Sequence, residues 1–189
     1  AFVRVRKVSD DHGAERIRAV ATSAMREASN SDMLCDRINR ATGIEIETIS
    51  GEEAARLIHL AVSSAVPLKN KRAMLIDIGG GSVEVTLSQG GNILSTESYN
   101  MGTVRLLEKL RDKPAKLPFD ELVREYAESA RYRIEREVKK KKIDLCIGTG
   151  GNIEEMGELR KKLFKRDSDS AITFEELEKL SKILSQMTV

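Results

Sequence analysis

Short runs of branched apolar residues alternate with longer stretches of helical period along this chain, an alternation that predicts an α/β protein. "RIRAVATSA" (16–24) predicts a strand leading into a turn. "SDMLCDRINRA" predicts a helix with Met33, Leu34, Ile38 and Ala41 on its apolar side. In "GIEIETIS" (43–50), Ile44, Ile46 and Thr48 alternate with Glu45, Glu47 and Ile49, an imperfect strand signal. "SGEEAARLIHLAVSSAV" then sets Ala54, Leu57, Ile58, Ala61, Val62 and Ala65 on one helix face and ends near Pro67.

Beyond "PLKNKR" the period shortens. "AMLIDI", a glycine turn, "SVEVTLS", a second turn at Gly90 and Gly91, and "NILSTES" predict a meander of three strands. Helices dominate the rest. Phe119, Leu122, Val123, Tyr126, Ala130, Ile134 and Val138 form an apolar stripe between Pro118 and the lysines at 139 to 142. That lysine run reads as a solvated helix end favoured by the dipole, with a phosphate-attracting patch as the alternative. "IDLCIG" predicts a buried strand, "GTGG" a turn and "NIEEMGELRKKLF" a helix, while Thr173 and Glu176 make a capping box for a last helix, "FEELEKLSKILSQM".

Composition narrows the function classes. Of 189 residues, 40% are apolar and 33% charged, which suits one or two compact domains. With 32 Lys plus Arg against 30 Asp plus Glu, nothing global attracts nucleic acid or an acidic membrane, so anion binding has to be local. Two cysteines, Cys35 and Cys146, are too few for a disulfide framework or a cysteine metal cage. No apolar run approaches the roughly 20 residues of a spanning helix, and "AFVRVRKVSDD" lacks a secretory pattern, so the expected location is cytoplasmic.

The candidate chemistry centres on "DIGGGSVEV" (77–85). Strand-like sequence on both sides puts Gly79, Gly80 and Gly81 in a hairpin, which excludes a Walker A or Rossmann loop. Bare backbone N–H groups there, with Ser82, suit phosphate oxygens, whereas a tight hairpin with solvated acids is the plainer alternative. Asp77 and Glu84 would repel a lone phosphate, so they make sense with Mg²⁺ between them and the anion. A second glycine cluster at Gly148, Gly150 and Gly151 sits between a strand and a helix, where amides and the dipole accept anions. One ligand could touch both clusters.

"AVATSAMREASN", "ETISGEEAARLIHLAV", "LIDIGGGSVEV", "YNMGTVRL" and "CIGTGGNIEEM" occur in the order and at the approximate spacing that resembles the exopolyphosphatase / guanosine pentaphosphate phosphohydrolase (Ppx/GppA) family. This family is a branch of the actin-like ATPase and sugar-kinase superfamily. The resemblance implies an α/β fold of two ribonuclease-H-like domains around a cleft, a partial first domain at 1–56 and a second at 57–189, truncated at both ends. It implies Mg²⁺-assisted hydrolysis of terminal phosphate from inorganic polyphosphate or guanosine pentaphosphate (pppGpp), and a homodimer is compatible with it.

Carried over by position, the resemblance makes Asp77 and Glu84 the metal-associated acids, Gly79 to Ser82 a phosphate cradle, and Gly148, Gly150 and Gly151 the second glycine turn. Arg26 matches an arginine that reaches phosphate in the cleft, a task for which a guanidinium fork is suited. Two departures stand out. Family members carry a further glycine phosphate loop on their first strand, and nothing before Phe2 supplies it. The general base, the glutamate directly before Ala-Arg in the family signature, is replaced by Ala54. Glu53 is the nearest substitute, but adjacent helix positions diverge by about 100°, and Ser50 with Glu53 also fits a reciprocal helix cap. A non-catalytic polyphosphate- or nucleotide-sensing module is therefore the rival reading, and an ATP binder using a pocket at 148–151 a third.

Overall fold

The computed structural model describes residues 1–112, 119–138, 141–168 and 170–187. It is a mixed α/β structure with two sheets. Helix α1 (Phe2–Asp11) precedes strand β1 (Ala19–Ala21), helices α2 (Ser23–Glu27) and α3 (Ser31–Thr42), and strand β2 (Ile46–Thr48). Strands β1 and β2 pair in parallel, Ala19 opposite Ile46.

Helix α4 (Gly51–Ala65) leads to strands β3 (Arg72–Ile78), β4 (Val83–Gln89) and β5 (Asn92–Tyr99). Helices α5 (Thr103–Asp112) and α6 (Phe119–Val138), strand β6 (Leu145–Thr149), and helices α7 (Gly151–Phe164) and α8 (Phe174–Ser185) complete the chain. The larger sheet has the order β5-β4-β3-β6, an antiparallel meander with β6 added parallel to β3.

Alternation along the strands builds two half-cores. Ala73 and Leu75 of β3, with Leu145 and Ile147 of β6, meet Ile58 and Val62 of α4 on one face. On the other, Met74, Ile76 and Ile78 of β3 and Val83 and Val85 of β4 meet Ala130 and Ile134 of α6. Asp77 and Glu84, in step with Leu75, therefore lie on the α4 side of the sheet.

Several expectations shift. The predicted strand at 16–24 keeps only three strand residues, and helix α2 follows it rather than a turn, because Met25 and Arg26 donate their amides to the Thr22 carbonyl at 3.1 Å. Of the predicted α3 face, Ile38 is buried while Met33, Leu34 and Ala41 are exposed, since two three-residue strands offer too little surface to cover the full stripe. In α4 the covered strip is rotated: Ala54, Ala55, His59 and Val62 are buried, whereas Ala61 and Ala65 are exposed. Strand β6 is not fully buried. It is an edge strand that alternates half-buried Leu145 and Ile147 with exposed Cys146 and Gly148. In α6, half-buried Val123, Tyr126, Ile134 and Val138 and buried Ala130 follow the predicted stripe, while the side chains of Phe119 and Leu122 lie outside the described residues.

The α8 capping box forms as the sequence requires, and it is larger than a cap. Glu176 receives the Thr173 amide, the Arg160 guanidinium at 2.7 Å and the Arg166 guanidinium at 2.8 Å, so a nearly buried carboxylate clamps α8 to α7. The Arg160 hydrogen bond, then the Thr173 amide, holds its pKa down to about 2 from 4.5. A depressed carboxylate stabilises the fold above its unfolded pKa and loses that contribution as pH falls toward the folded one. Acid titration is therefore expected to weaken α8 docking between about pH 4.5 and 2, and Glu176→Gln to remove this dependence, read by amide hydrogen exchange in α8.

Candidate functional site

The β3–β4 hairpin closes over four residues, with Ile78 opposite Val83 and the Gly79 amide donating to Ser82 O at 3.0 Å. The start of α5 takes up the carbonyls of this loop: Thr103 N donates to Gly79 O at 3.1 Å, Arg105 N to Gly80 O at 3.0 Å, and Gly102 N to Gly81 O at 3.2 Å. In a trans peptide the N–H points opposite the preceding carbonyl, so the amides of Gly80, Gly81 and Ser82 turn away from that anchor. Those three amides have no protein acceptor among the described residues. Three adjacent donors are thus left without a partner among the described residues of the protein.

A cleft of ≈ 330 Å³ opens on this loop, lined by Gly79 to Ser82, Asp77, Glu84 and Ala54 together with Thr22 and Ser23 from the β1–α2 corner and Arg105 and Glu108 from α5. Asp77 and Glu84 sit directly opposite each other across β3 and β4, and Glu84 is buried. Thr149 Oγ1 donates to Asp77 Oδ1 at 2.5 Å, and Ser98 Oγ donates to Glu84 Oε1 at 3.0 Å. Ala54, on the buried side of α4, faces the same cleft with 8% of its surface exposed.

Not every residue singled out from sequence reaches this place. Glu53 is absent from the lining, and its carboxylate is held by Arg56 at 2.6 and 2.8 Å, which together with the charge of Arg18 keeps its pKa below the usual range. The reciprocal cap is half made, since Ser50 Oγ accepts the Glu53 amide while the Glu53 side chain turns to Arg56. Arg26 is also absent from the lining and donates to the Ile49 carbonyl at 2.7 Å, tying α2 to the end of β2. Gly148 lies within β6 rather than in the turn. Gly150 and Gly151 begin α7 beside the hairpin, brought there by the parallel β3–β6 pairing, but do not line the cleft.

Arg105, which the pattern reading passed over, is the one cationic side chain in the lining among the described residues. It donates to Gly81 O at 2.7 Å and to Ser23 Oγ at 3.3 Å, and pairs with Glu27. The Arg105 hydrogen bond holds Glu27 below its ordinary pKa. The available signal was its place in "YNMGTVRL", three residues after a turn glycine, but helical spacing alone does not say which side of α5 meets the hairpin.

The model of the Ppx/GppA phosphatase family matches residues 1–189. The chain belongs to that family. It is 31% identical over 173 residues to a Vibrio vulnificus (strain YJ016) protein named guanosine-5'-triphosphate,3'-diphosphate pyrophosphatase, covering 91% of this chain and 34% of that one. Among solved structures, an exopolyphosphatase from Cytophaga hutchinsonii aligns with a TM-score of 0.83 at 26% identity, covering 99% of this chain and 62% of that one. The Ppx/GppA enzyme of Aquifex aeolicus aligns at 0.73 with 27% identity, covering 98% and 62%. This Ppx/GppA chain thus spans about a third of the length of the curated relatives it matches.

Proposed function

We propose that the cleft binds the phosphoanhydride end of inorganic polyphosphate or pppGpp and that the protein is a Mg²⁺-dependent phosphohydrolase slowed by Ala54. The observation that carries this reading is the convergence in one cleft of three unpaired loop amides, a carboxylate pair, an arginine and the position before Ala55 and Arg56.

The donor set fits Mg²⁺. Among the described residues no three His, Cys, Asp or Glu side chains converge. Mg²⁺ commonly takes one or two carboxylates, waters and substrate phosphate, so Asp77 and Glu84 are sufficient. Bound there, the ion would neutralise charge on the transferring phosphate and its leaving group. The amides of Gly80, Gly81 and Ser82 donate to the terminal phosphate oxygens, and Arg105, its Nε and Nη2 held by Gly81 O, Ser23 Oγ and Glu27, adds positive charge beside them. Hydrolysis joins a water oxygen to the terminal phosphorus while the anhydride P–O bond breaks, and the water's proton needs an acceptor. At position 54 there is a methyl group, so that acceptor is missing while grip and alignment persist. Losing a general base costs about 10²–10⁴-fold, and phosphoryl transfer retains the part due to positioning.

Ala54 also favours a second reading, a sensor that binds the same anions without turnover. The two free cysteines, Cys35 and Cys146, suit a reducing cytoplasm for either reading.

Calorimetric titration with polyphosphate, pppGpp and ATP in Mg²⁺ tests the proposal. Polyphosphate or pppGpp is expected to bind, with affinity lowered about tenfold or more by Arg105→Ala, the range for a lost charged hydrogen bond. Binding of ATP alone would point to a nucleotide kinase-like site, and no binding would end the proposal.

A further inference from the structure

The acids of the proposed site belong to a row that crosses the whole larger sheet. Ser98 of β5 is opposite Glu84 of β4, Glu84 is opposite Asp77 of β3, and Asp77 is opposite Thr149 of β6. The row reads hydroxyl, carboxylate, carboxylate, hydroxyl, and neighbours in register share one sheet face. Each outer hydroxyl donates inward: Ser98 Oγ to Glu84 Oε1 at 3.0 Å and Thr149 Oγ1 to Asp77 Oδ1 at 2.5 Å. The other oxygen of each carboxylate has no protein donor among the described residues.

Both ends of the row are closed by backbone. A Cβ on Gly51, at the start of α4, would come within 2.6 Å of Ser98 Oγ. One on Gly150, which has φ +95°, would come within 2.6 Å of Ile78 O and 3.4 Å of Asp77 Oδ1. One helix start therefore packs on Ser98 and the other on β3 beside Asp77, where a larger residue would force a displacement.

We propose that Ser98 and Thr149 are positioning residues that make Asp77 and Glu84 one-oxygen ligands and thereby select Mg²⁺ or Mn²⁺ over Ca²⁺. This rests on the cation reading given under Proposed function. An oxygen that already accepts a hydroxyl proton has one lone pair fewer and less charge to offer a cation, which favours the other oxygen of each acid as the ligand and leaves room for waters. That arrangement suits a small octahedral ion that keeps its waters; Ca²⁺ prefers more oxygens and often takes a carboxylate through both. A hydroxyl on a ligating carboxylate also fixes its rotamer, and outer partners of this kind typically change metal affinity by about 10–100-fold.

The test is Mn²⁺ binding followed by the electron paramagnetic resonance of the free ion, with Mg²⁺ and Ca²⁺ as competitors and no nucleotide or phosphate present. Thr149→Val and Ser98→Ala are expected to weaken Mn²⁺ and Mg²⁺ by about tenfold or more and to reduce the discrimination against Ca²⁺. Thr149→Ser, which keeps the hydroxyl, is expected to retain both. Affinity and selectivity unchanged within about twofold in Thr149→Val and Ser98→Ala, with Asp77→Asn abolishing binding, would overturn the positioning role alone. Absence of Mn²⁺ binding to the unaltered protein would overturn the cation reading and this inference together.

Discussion

Ala54→Glu is expected to raise Mg²⁺-dependent phosphate release from polyphosphate by about 10²–10⁴-fold while changing polyphosphate affinity by much less. The position lies on the cleft side of α4, beside Asp77 and Glu84, so a carboxylate there enters the space where water approaches a terminal phosphate. Ala54→Gln, similar in size but unable to accept the proton, should not produce the gain. Steady-state phosphate release from the three proteins at matched Mg²⁺ measures this. Equal turnover in all three, with binding intact, would leave the sensor reading in place.

Gly102→Ala is expected to reduce polyphosphate affinity by an order of magnitude or more and to lower stability by about 1–3 kcal/mol, the usual cost of forcing atoms into packed structure. A Cβ at this position would strike the Gly80 carbonyl carbon and oxygen and the Gly81 carbonyl carbon. All three are backbone, so no side chain can swing aside. The contact sits where Gly102, Thr103 and Arg105 amides hold the loop carbonyls, so any movement that relieves it turns the opposite amides out of line. Calorimetry for affinity and thermal unfolding for stability separate the two effects. A variant that unfolds normally yet binds as tightly as the parent would show that the anchor does not orient the loop.

The meander was legible from sequence because short runs rich in branched apolar residues are separated by turns marked with glycine; residues 77 to 85 form the hairpin that pattern requires. The same motif placed Asp77, Glu84 and the three glycines together, and they line one cleft. What the pattern could not give was direction. Arg26 follows a motif that suggests a phosphate contact, yet its guanidinium finds the Ile49 carbonyl, while Arg105 reaches the hairpin because α5 starts against the loop. The acids were visible, but the row through Ser98 and Thr149 depends on strand order and register, and β6 joins β3 across about 70 intervening residues. The exposure of Met33 and Leu34 was hidden too, because helical period marks a stripe and not the partner that covers it.

The backbone amides beside Gly80 are proposed to hold the anion. Two-dimensional amide resonances of the ¹⁵N-labelled protein, followed while polyphosphate is added in Mg²⁺, address it most directly. Gly80, Gly81 and Ser82 are expected to show the largest shifts, saturating with the calorimetric binding curve. Saturable binding that leaves those three resonances in place and moves the amides of Lys141 and Lys142 instead would contradict it.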